Sequence, residues 1–173
     1  MILNNFKKIL LNAILNSNST ESTAPVAPSF IHLRNTNNVN RTCLVGSESN
    51  FNSMLNAFNH FSTNNGSTSL FIKCGYGTTP VTADDYALDM DLGLTCLSCT
   101  GGVNDGVKTV TATFNNNTGA DATITEVGLF VNFIYSGSAT DVFMIKRKVL
   151  DTPISIPAGE SRAVVYELSL GDE

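Results

Sequence analysis

The stretches 110–133, VTATFNNNTGADATITEVGLFVNF, and 142–170, VFMIKRKVLDTPISIPAGESRAVVYELSL, decide the fold of this chain. Apolar and polar residues alternate along four segments of them, and clusters of Asn, Gly, Pro and Asp separate these segments. Alternation with a period of two is typical of strands with one buried face, and such clusters favour turns. The sequence therefore predicts a mainly β fold, an antiparallel β-sandwich of immunoglobulin-like or jelly-roll type.

Two segments upstream show a similar pattern, at 29–33 and 94–99, and the apolar segment 70–74 is a further predicted strand. With the segments downstream they indicate about six or seven strands. The strand at 124–133 has an almost wholly apolar side that includes Val127, Leu129 and Val131, so we expect this side to face the core and the strand to be central. Its other side carries Glu126, for which the run 146–148 is the nearest basic partner in the sequence.

Two helices are predicted in addition to the strands. In residues 1–15 an apolar stripe recurs every three to four positions, which is typical of an amphipathic helix. A second helix is predicted at about 47–61, where apolar side chains again share one face. The residues that define the two stripes are Leu3, Phe6, Leu10 and Ile14 in the first helix and Phe51, Met54, Leu55, Phe58 and Phe61 in the second.

The organisation predicted from these patterns has two parts. Residues 1–28 form a helical arm and a linker rich in Ser, Thr and Pro, and residues 29–173 form the β-sandwich domain with the inserted helix. Two arrangements remain open for the first helix: it reaches a partner, or it folds back onto one end of the β region. Lys7 and Lys8 interrupt its apolar residues, unlike the charge-first order of a secretory signal, so we expect the helix to stay on the protein.

The composition excludes some classes of function. Only 14% of the 173 residues are charged, against about 25% in average globular proteins. The formal net charge is −5 with 10 Lys and Arg residues, whereas a nucleic-acid-binding protein usually presents a basic face. No run of about 18 apolar residues is present, so we expect neither nucleic-acid binding nor a membrane-spanning helix.

Few residues are candidates for metal binding or for redox chemistry. Cys96 and Cys99 form a C-x-x-C pair, but a zinc site usually needs a second pair. On a regular strand the two side chains would point to opposite faces, so we predict reduced thiols. An acidic cluster at 84–91 lacks the spacing of an EF-hand. Solvation and helix capping explain it, with Thr82 as the cap and Asp85 as the residue that pairs back with it; a bound Ca²⁺ is the alternative.

We predict no catalytic residue, no metal and no cofactor, because the sequence has no nucleophile motif, P-loop or dinucleotide-binding motif. The one dense basic run is Lys146, Arg147 and Lys148, which is able to meet an acidic neighbour in an assembly. With Leu3, Phe6, Leu10 and Ile14 of the first helix, these three residues are the candidate interaction residues.

Three segments of the sequence resemble a known family. CGYGTTPVTADDYALDMDL, residues 74–92, is followed by FNNNTGADATITEVGLFVNF, residues 114–133, and MIKRKVLDTPISIPAGESRAVVYEL, residues 144–168. This order resembles small β-sandwich structural proteins of tailed bacteriophages, over about the last hundred residues.

The resemblance implies a non-enzymatic virion component, assembled in the host cytoplasm. It would belong to the capsid surface or to the tail or collar, attached through the N-terminal arm. Its partners would be other virion proteins and copies of itself, as a homo-oligomer. The alternative is a tail module that binds a host-surface glycan or receptor, although the chain has no Trp to stack on a sugar.

Overall fold

The computed structural model describes residues 3–9, 30–44, 61–63, 69–104, 107–136 and 139–168. One short helix, α1, spans residues 4–9 in this part of the chain. Eight strands follow it, which makes the fold mainly β, as predicted. They are β1 Phe30–Arg34, β2 Asn40–Leu44, β3 Ser69–Gly75, β4 Thr95–Asn104, β5 Val107–Asn115, β6 Ala122–Ser136, β7 Ala139–Ile156 and β8 Ser161–Leu168.

The strands form three antiparallel sheets. One sheet has the order β3-β6-β7, a second has the order β4-β5-β8, and β1 and β2 form a separate two-stranded ribbon. All of the strand segments predicted from the sequence are present, whereas β2 lies in a stretch for which the sequence predicts no strand. In the turn between β1 and β2, the buried Asn35 side chain accepts hydrogen bonds from the backbone N–H groups of Asn37 and Val39.

A main hydrophobic core joins both three-stranded sheets, the ribbon and α1. A second, smaller cluster lies on the opposite side of the β3-β6-β7 sheet, where Leu3, just before α1, and the loop 76–92 cover it. The buried residues of this second cluster are Leu3, Phe71, Phe130 and Met144, with Val81, Leu88 and Val142 packed against them. The β3-β6-β7 sheet is therefore buried on both faces.

Strand β6 is central in its sheet, as predicted. Val127, Leu129 and Val131 face the main core, which confirms the expected orientation of this part of the strand. Ile124 also belongs to the main core, although the sequence alternation put it on the side of Glu126. The reason is a bulge, because the pairing jumps from Ile124↔Ile154 to Glu126↔Val149. A bulge inserts extra residues and shifts the side-chain alternation.

The first helix folds back onto its own chain over the described residues 3–9. Leu3, Phe6 and Ile9 are all at most 5% exposed, and they pack into the two clusters. The Asn5 side chain donates hydrogen bonds to the backbone carbonyls of Arg34 at 2.7 Å and Met144 at 3.2 Å. Of the two arrangements that the sequence leaves open, the described residues of the helix adopt the second, in which the helix folds back onto the β region.

The second predicted helix, at about 47–61, lies outside the described residues except for Phe61. That residue forms an isolated parallel bridge with Leu70 of β3. Leu10 and Ile14 of the first helix also lie outside the described residues.

Candidate functional site

The loop 76–92 runs across the outer face of β6 and β7 and is held there by buried charges. It leaves β3 at Gly75 and returns beside this strand, where Gly75 and Asp91 form an isolated antiparallel bridge. Backbone hydrogen bonds from Tyr76 to Met90 at 2.9 Å and from Leu92 to Cys74 at 3.0 Å close the loop. These hydrogen bonds therefore hold the two ends of the loop together at the end of β3.

Glu126 of β6 is the centre of this site and is fully buried. Its Oε1 atom accepts hydrogen bonds from the backbone N–H groups of Gly77 at 3.1 Å and Met90 at 2.8 Å. Its Oε2 atom accepts one from the N–H of Asp89 at 3.2 Å and one from Arg147 Nε at 2.7 Å. One carboxylate thus ties both ends of the loop to the sheet.

Arg147 of β7 extends the site to the middle of the loop. Its side chain is 3% exposed, and its Nη1 atom donates to Asp85 Oδ2 at 2.9 Å. Its Nη2 atom donates to Thr79 Oγ1 at 3.2 Å. We call Asp85, Glu126 and Arg147 the clamp. It contains two carboxylates and one guanidinium, so one negative charge is not balanced by Arg147. The backbone N–H donors stabilise this charge.

Asp85 has a local partner as well. Its carboxylate accepts from Thr82 Oγ1 at 2.6 Å and from the Thr82 N–H at 3.2 Å, the reciprocal contact that the sequence predicts for these two residues. Burial raises the pKa of the Asp85 carboxyl, but the hydrogen bonds from Thr82 and Arg147 and the charge of Arg147 outweigh it and hold this pKa below its usual value. Asp85 is therefore held as a carboxylate.

Two glycines allow the loop to come this close to Glu126. A Cβ atom on Gly75 would lie 2.5 Å from Glu126 Oε1, and one on Gly77 would lie 2.6 Å from the same atom. Real Cβ atoms do not approach other heavy atoms to such distances, so a side chain at either position would push the loop off the carboxylate.

The three residues of the predicted basic run have different environments. Arg147 is buried in the clamp, which confirms that Glu126 takes its partner from 146–148. Lys146 and Lys148 border a groove of about 460 Å³ between strands β7 and β8. The other residues of this groove are Val81, Val127, Arg147, Val149, Leu150, Val165, Tyr166 and Glu167. Leu3 and Phe6 are buried inside the chain and are not available to a partner.

The cysteines lie in the strands as free thiols. Contrary to the expectation for a regular strand, Cys96 and Cys99 both pack against the main core, because the pairing of β4 with β5 shifts between Cys96 and Ser98. Burial raises the pKa of the Cys43 thiol to about 12 and of the Cys99 thiol to about 11. Thiols with such pKa values are poor nucleophiles at neutral pH.

Within the described ranges, no group of three or more His, Cys, Asp and Glu residues is arranged to hold a metal ion. In the same part of the chain, no helix is both long and apolar enough to cross a membrane. No family model matches the chain, and no curated protein and no solved structure matches it either.

The sequence predicted part of the clamp and not the rest. It paired Thr82 with Asp85, and Glu126 with the basic run, as two separate contacts. It did not find that Arg147 joins them or that backbone N–H groups complete the site. The available signal was the Gly75-x-Gly77 spacing, since two glycines so close together indicate a tight approach of the backbone.

Proposed function

We propose that the protein is a non-enzymatic structural component of a tailed-phage virion. It would be a β-sandwich subunit, immunoglobulin-like or jelly-roll, in which the β3-β6-β7 and β4-β5-β8 sheets pack over the main core. It would belong to the capsid surface or to the tail or collar, in many copies beside other virion proteins. It would be attached through its N-terminal arm, of which Leu3 and Phe6 are buried in the chain.

The clamp is the observation that carries this proposal. Asp85 comes from the first family-like stretch, Glu126 from the second and Arg147 from the third. The residues that make the chain resemble virion proteins therefore form one structural unit. Every polar group of the clamp is engaged with the chain itself, so the motif serves the fold and offers no reactive group to a substrate.

Analysis of purified particles tests the proposal. Antibodies against the purified protein should label intact particles of the phage that encodes it in negative-stain electron microscopy. Mass spectrometry of gradient-purified particles should detect the protein in a fixed number of copies. Abundance in the infected lysate together with absence from the particles would contradict a virion role.

A polar cleft favours a second candidate, the glycan- or receptor-binding module. The cleft, of about 290 Å³, lies where α1 meets the β1–β2 turn and the loop 76–92. The Arg34 guanidinium stacks over the Tyr86 ring at 4.2 Å next to it. Its lining residues offer both donors and acceptors, as sugar hydroxyls require: Asn4, Asn5, Lys8, Arg34, Asn38, Asn40, Ala83, Asp84 and Asp85.

Titration of acidic and neutral monosaccharides against the protein, followed by NMR, tests this candidate. Binding should shift the resonances of Asn38 and Asn40, and Arg34→Ala should weaken it. Shifts that are absent, or that are unaffected by Arg34→Ala, would remove the candidate.

A further inference from the structure

The outer face of the β3-β6-β7 sheet, opposite the main core, is covered by two segments that lie far apart in the sequence. Residues 3–9 contribute Leu3, which is fully buried, and the loop 76–92 contributes Val81 and Leu88. These three side chains belong to one cluster with Phe71 and Phe130, whose rings stack with 5.6 Å between their centroids. The two segments therefore share a single apolar surface.

Hydrogen bonds also join the two segments directly. The backbone N–H of Asn4 donates to the carbonyl of Ala83 at 2.9 Å, and the Asn4 side chain donates to Asp84 Oδ1 at 2.8 Å. Asn4 lies in the first turn of α1, where the backbone N–H groups have no acceptor within the helix. The loop supplies that acceptor, so each segment stabilises the other.

Leu88 connects this shared surface to the clamp. It lies against Gly128, since a Cβ atom on Gly128 would come within 2.9 Å of Leu88 Cδ2. Gly128 pairs with Arg147 in the neighbouring strand. The residue after Leu88 is Asp89, whose N–H donates to Glu126. A movement of Leu88 therefore disturbs the apolar cluster and the clamp together.

We propose that residues 3–9 and the loop 76–92 open and close over the sheet as one unit, which we call the strap. Release of either segment removes the same apolar contacts and hydrogen bonds from the other, and such coupling is reciprocal. The loop has no regular secondary structure, and segments of this kind open at a lower free energy than the whole molecule. Opening of the strap uncovers Phe71 and Phe130, so the strap controls access to this apolar face.

The strap deepens the proposed function and rests on it for its trigger. Attachment of the protein through its N-terminal arm would act on residues 3–9, and Leu3 and Asn4 would pass the effect to the loop. The coupling itself is a property of the isolated chain. Hydrogen exchange, measured by NMR on the purified full chain without any virion, therefore tests it separately from the proposed function.

Leu3→Ala perturbs the strap from the helix side and leaves the residues of the clamp unchanged. The N–H groups of Gly77 and Met90, which bind Glu126, report on the loop. Their exchange should become at least about tenfold faster, because truncation of a fully buried leucine weakens packing by more than this factor. Leu129→Ala is the matched control, since Leu129 is also fully buried but packs in the main core. It should leave the exchange of these two groups unchanged.

The reverse experiment perturbs the strap from the loop side. Gly77→Ala places a Cβ atom 2.6 Å from Glu126 Oε1 and should push the loop off the clamp. Thr125→Val is the milder variant, because it removes only the hydrogen bond to the Gly77 carbonyl at 2.8 Å. In both variants the exchange of the Lys7 and Arg34 N–H groups should become faster, as reciprocal coupling requires.

Lys7 and Arg34 are suitable reporters because neither touches the clamp. The Lys7 N–H donates to the Leu3 carbonyl, and the Arg34 N–H donates to Asn5 Oδ1, so both hydrogen bonds depend on residues 3–9. Three results would overturn the proposal. They are loop groups that keep their wild-type rate in Leu3→Ala, reporters that keep theirs in both loop variants, and an equal acceleration of the loop groups in Leu129→Ala.

Discussion

Glu126 and Arg147 are the residues whose loss should cost most, because both are buried and each depends on the other's charge. Arg147→Met leaves the Glu126 carboxylate without its cation in a dry site. We expect the free energy of unfolding to fall by about 3–5 kcal/mol, the usual cost of an uncompensated buried charge. Urea denaturation measures this effect.

Lys148→Met is the control for this prediction, since Lys148 is the exposed neighbour of Arg147. Its effect should stay within about 0.5 kcal/mol, as for most surface substitutions. Equal effects of the two substitutions would show that the clamp does not stabilise the fold. Replacing both Glu126 and Arg147 by apolar residues should also destabilise the protein, because the N–H groups of Gly77, Asp89 and Met90 would lose their acceptor.

Asp85 makes the stability of the clamp depend on pH. Its pKa is below the usual value in the folded protein, so its contribution is present above the unfolded-state pKa of about 3.9 and is lost as the pH falls through the folded-state pKa. Asp85→Asn removes this titration. The stability difference between wild type and Asp85→Asn should therefore be largest near pH 6 and shrink below about pH 4.

Chemical denaturation at several pH values between about 2 and 6 measures this difference. Asp84→Asn serves as the control, because the Asp84 side chain is exposed and accepts from Asn4 rather than from the clamp. A difference for Asp85→Asn that stays constant with pH would be evidence against its role as a charged member of the clamp.

At the level of elements, α1 contributes to the core in spite of its short described length. Leu3, Phe6 and Ile9 are buried, and burying one such side chain is worth about 1.5–3 kcal/mol. Removal of residues 1–9 should therefore lower the stability by several kcal/mol and uncover Phe71 and Phe130. Thermal unfolding followed by circular dichroism tests this, with Lys7→Ala as a control on the exposed side of the helix. An unchanged melting temperature after the removal would show that the helix is dispensable.

The sequence predicted most of the strands but not every side-chain orientation within them. The sequence pattern located six of the eight described strands within a few residues, and the alternation at 29–33 indicated β1. Alternation is clearest where a strand has one buried face, because successive side chains point to opposite faces. It missed β2, which follows an Asn-rich turn and is only five residues long. It failed at Ile124 and at Cys96, since a bulge shifts the alternation and leaves no clear mark in the sequence.

The contacts of the clamp could be predicted only in part, and the reason is again geometric. Thr82 and Asp85 are three residues apart, so a capping rule pairs them. Arg147 lies 62 residues from Asp85, and only the path of the loop 76–92 over the sheet brings them together. Sequence patterns describe neighbours along a strand or helix, whereas the clamp depends on tertiary contacts.

For the molecule as a whole, the shared core predicts a single unfolding unit over the described residues. The main cluster includes side chains from α1, from both three-stranded sheets and from the ribbon, so these described elements share one core. We therefore expect one cooperative urea transition. The chain has four tyrosines and no tryptophan, so tyrosine fluorescence reports tertiary structure while far-UV circular dichroism reports the sheets. The two curves should coincide, as two-state unfolding requires. Two separate transitions, with the first one abolished by removal of residues 1–9, would instead make the N-terminal segment an independent unit.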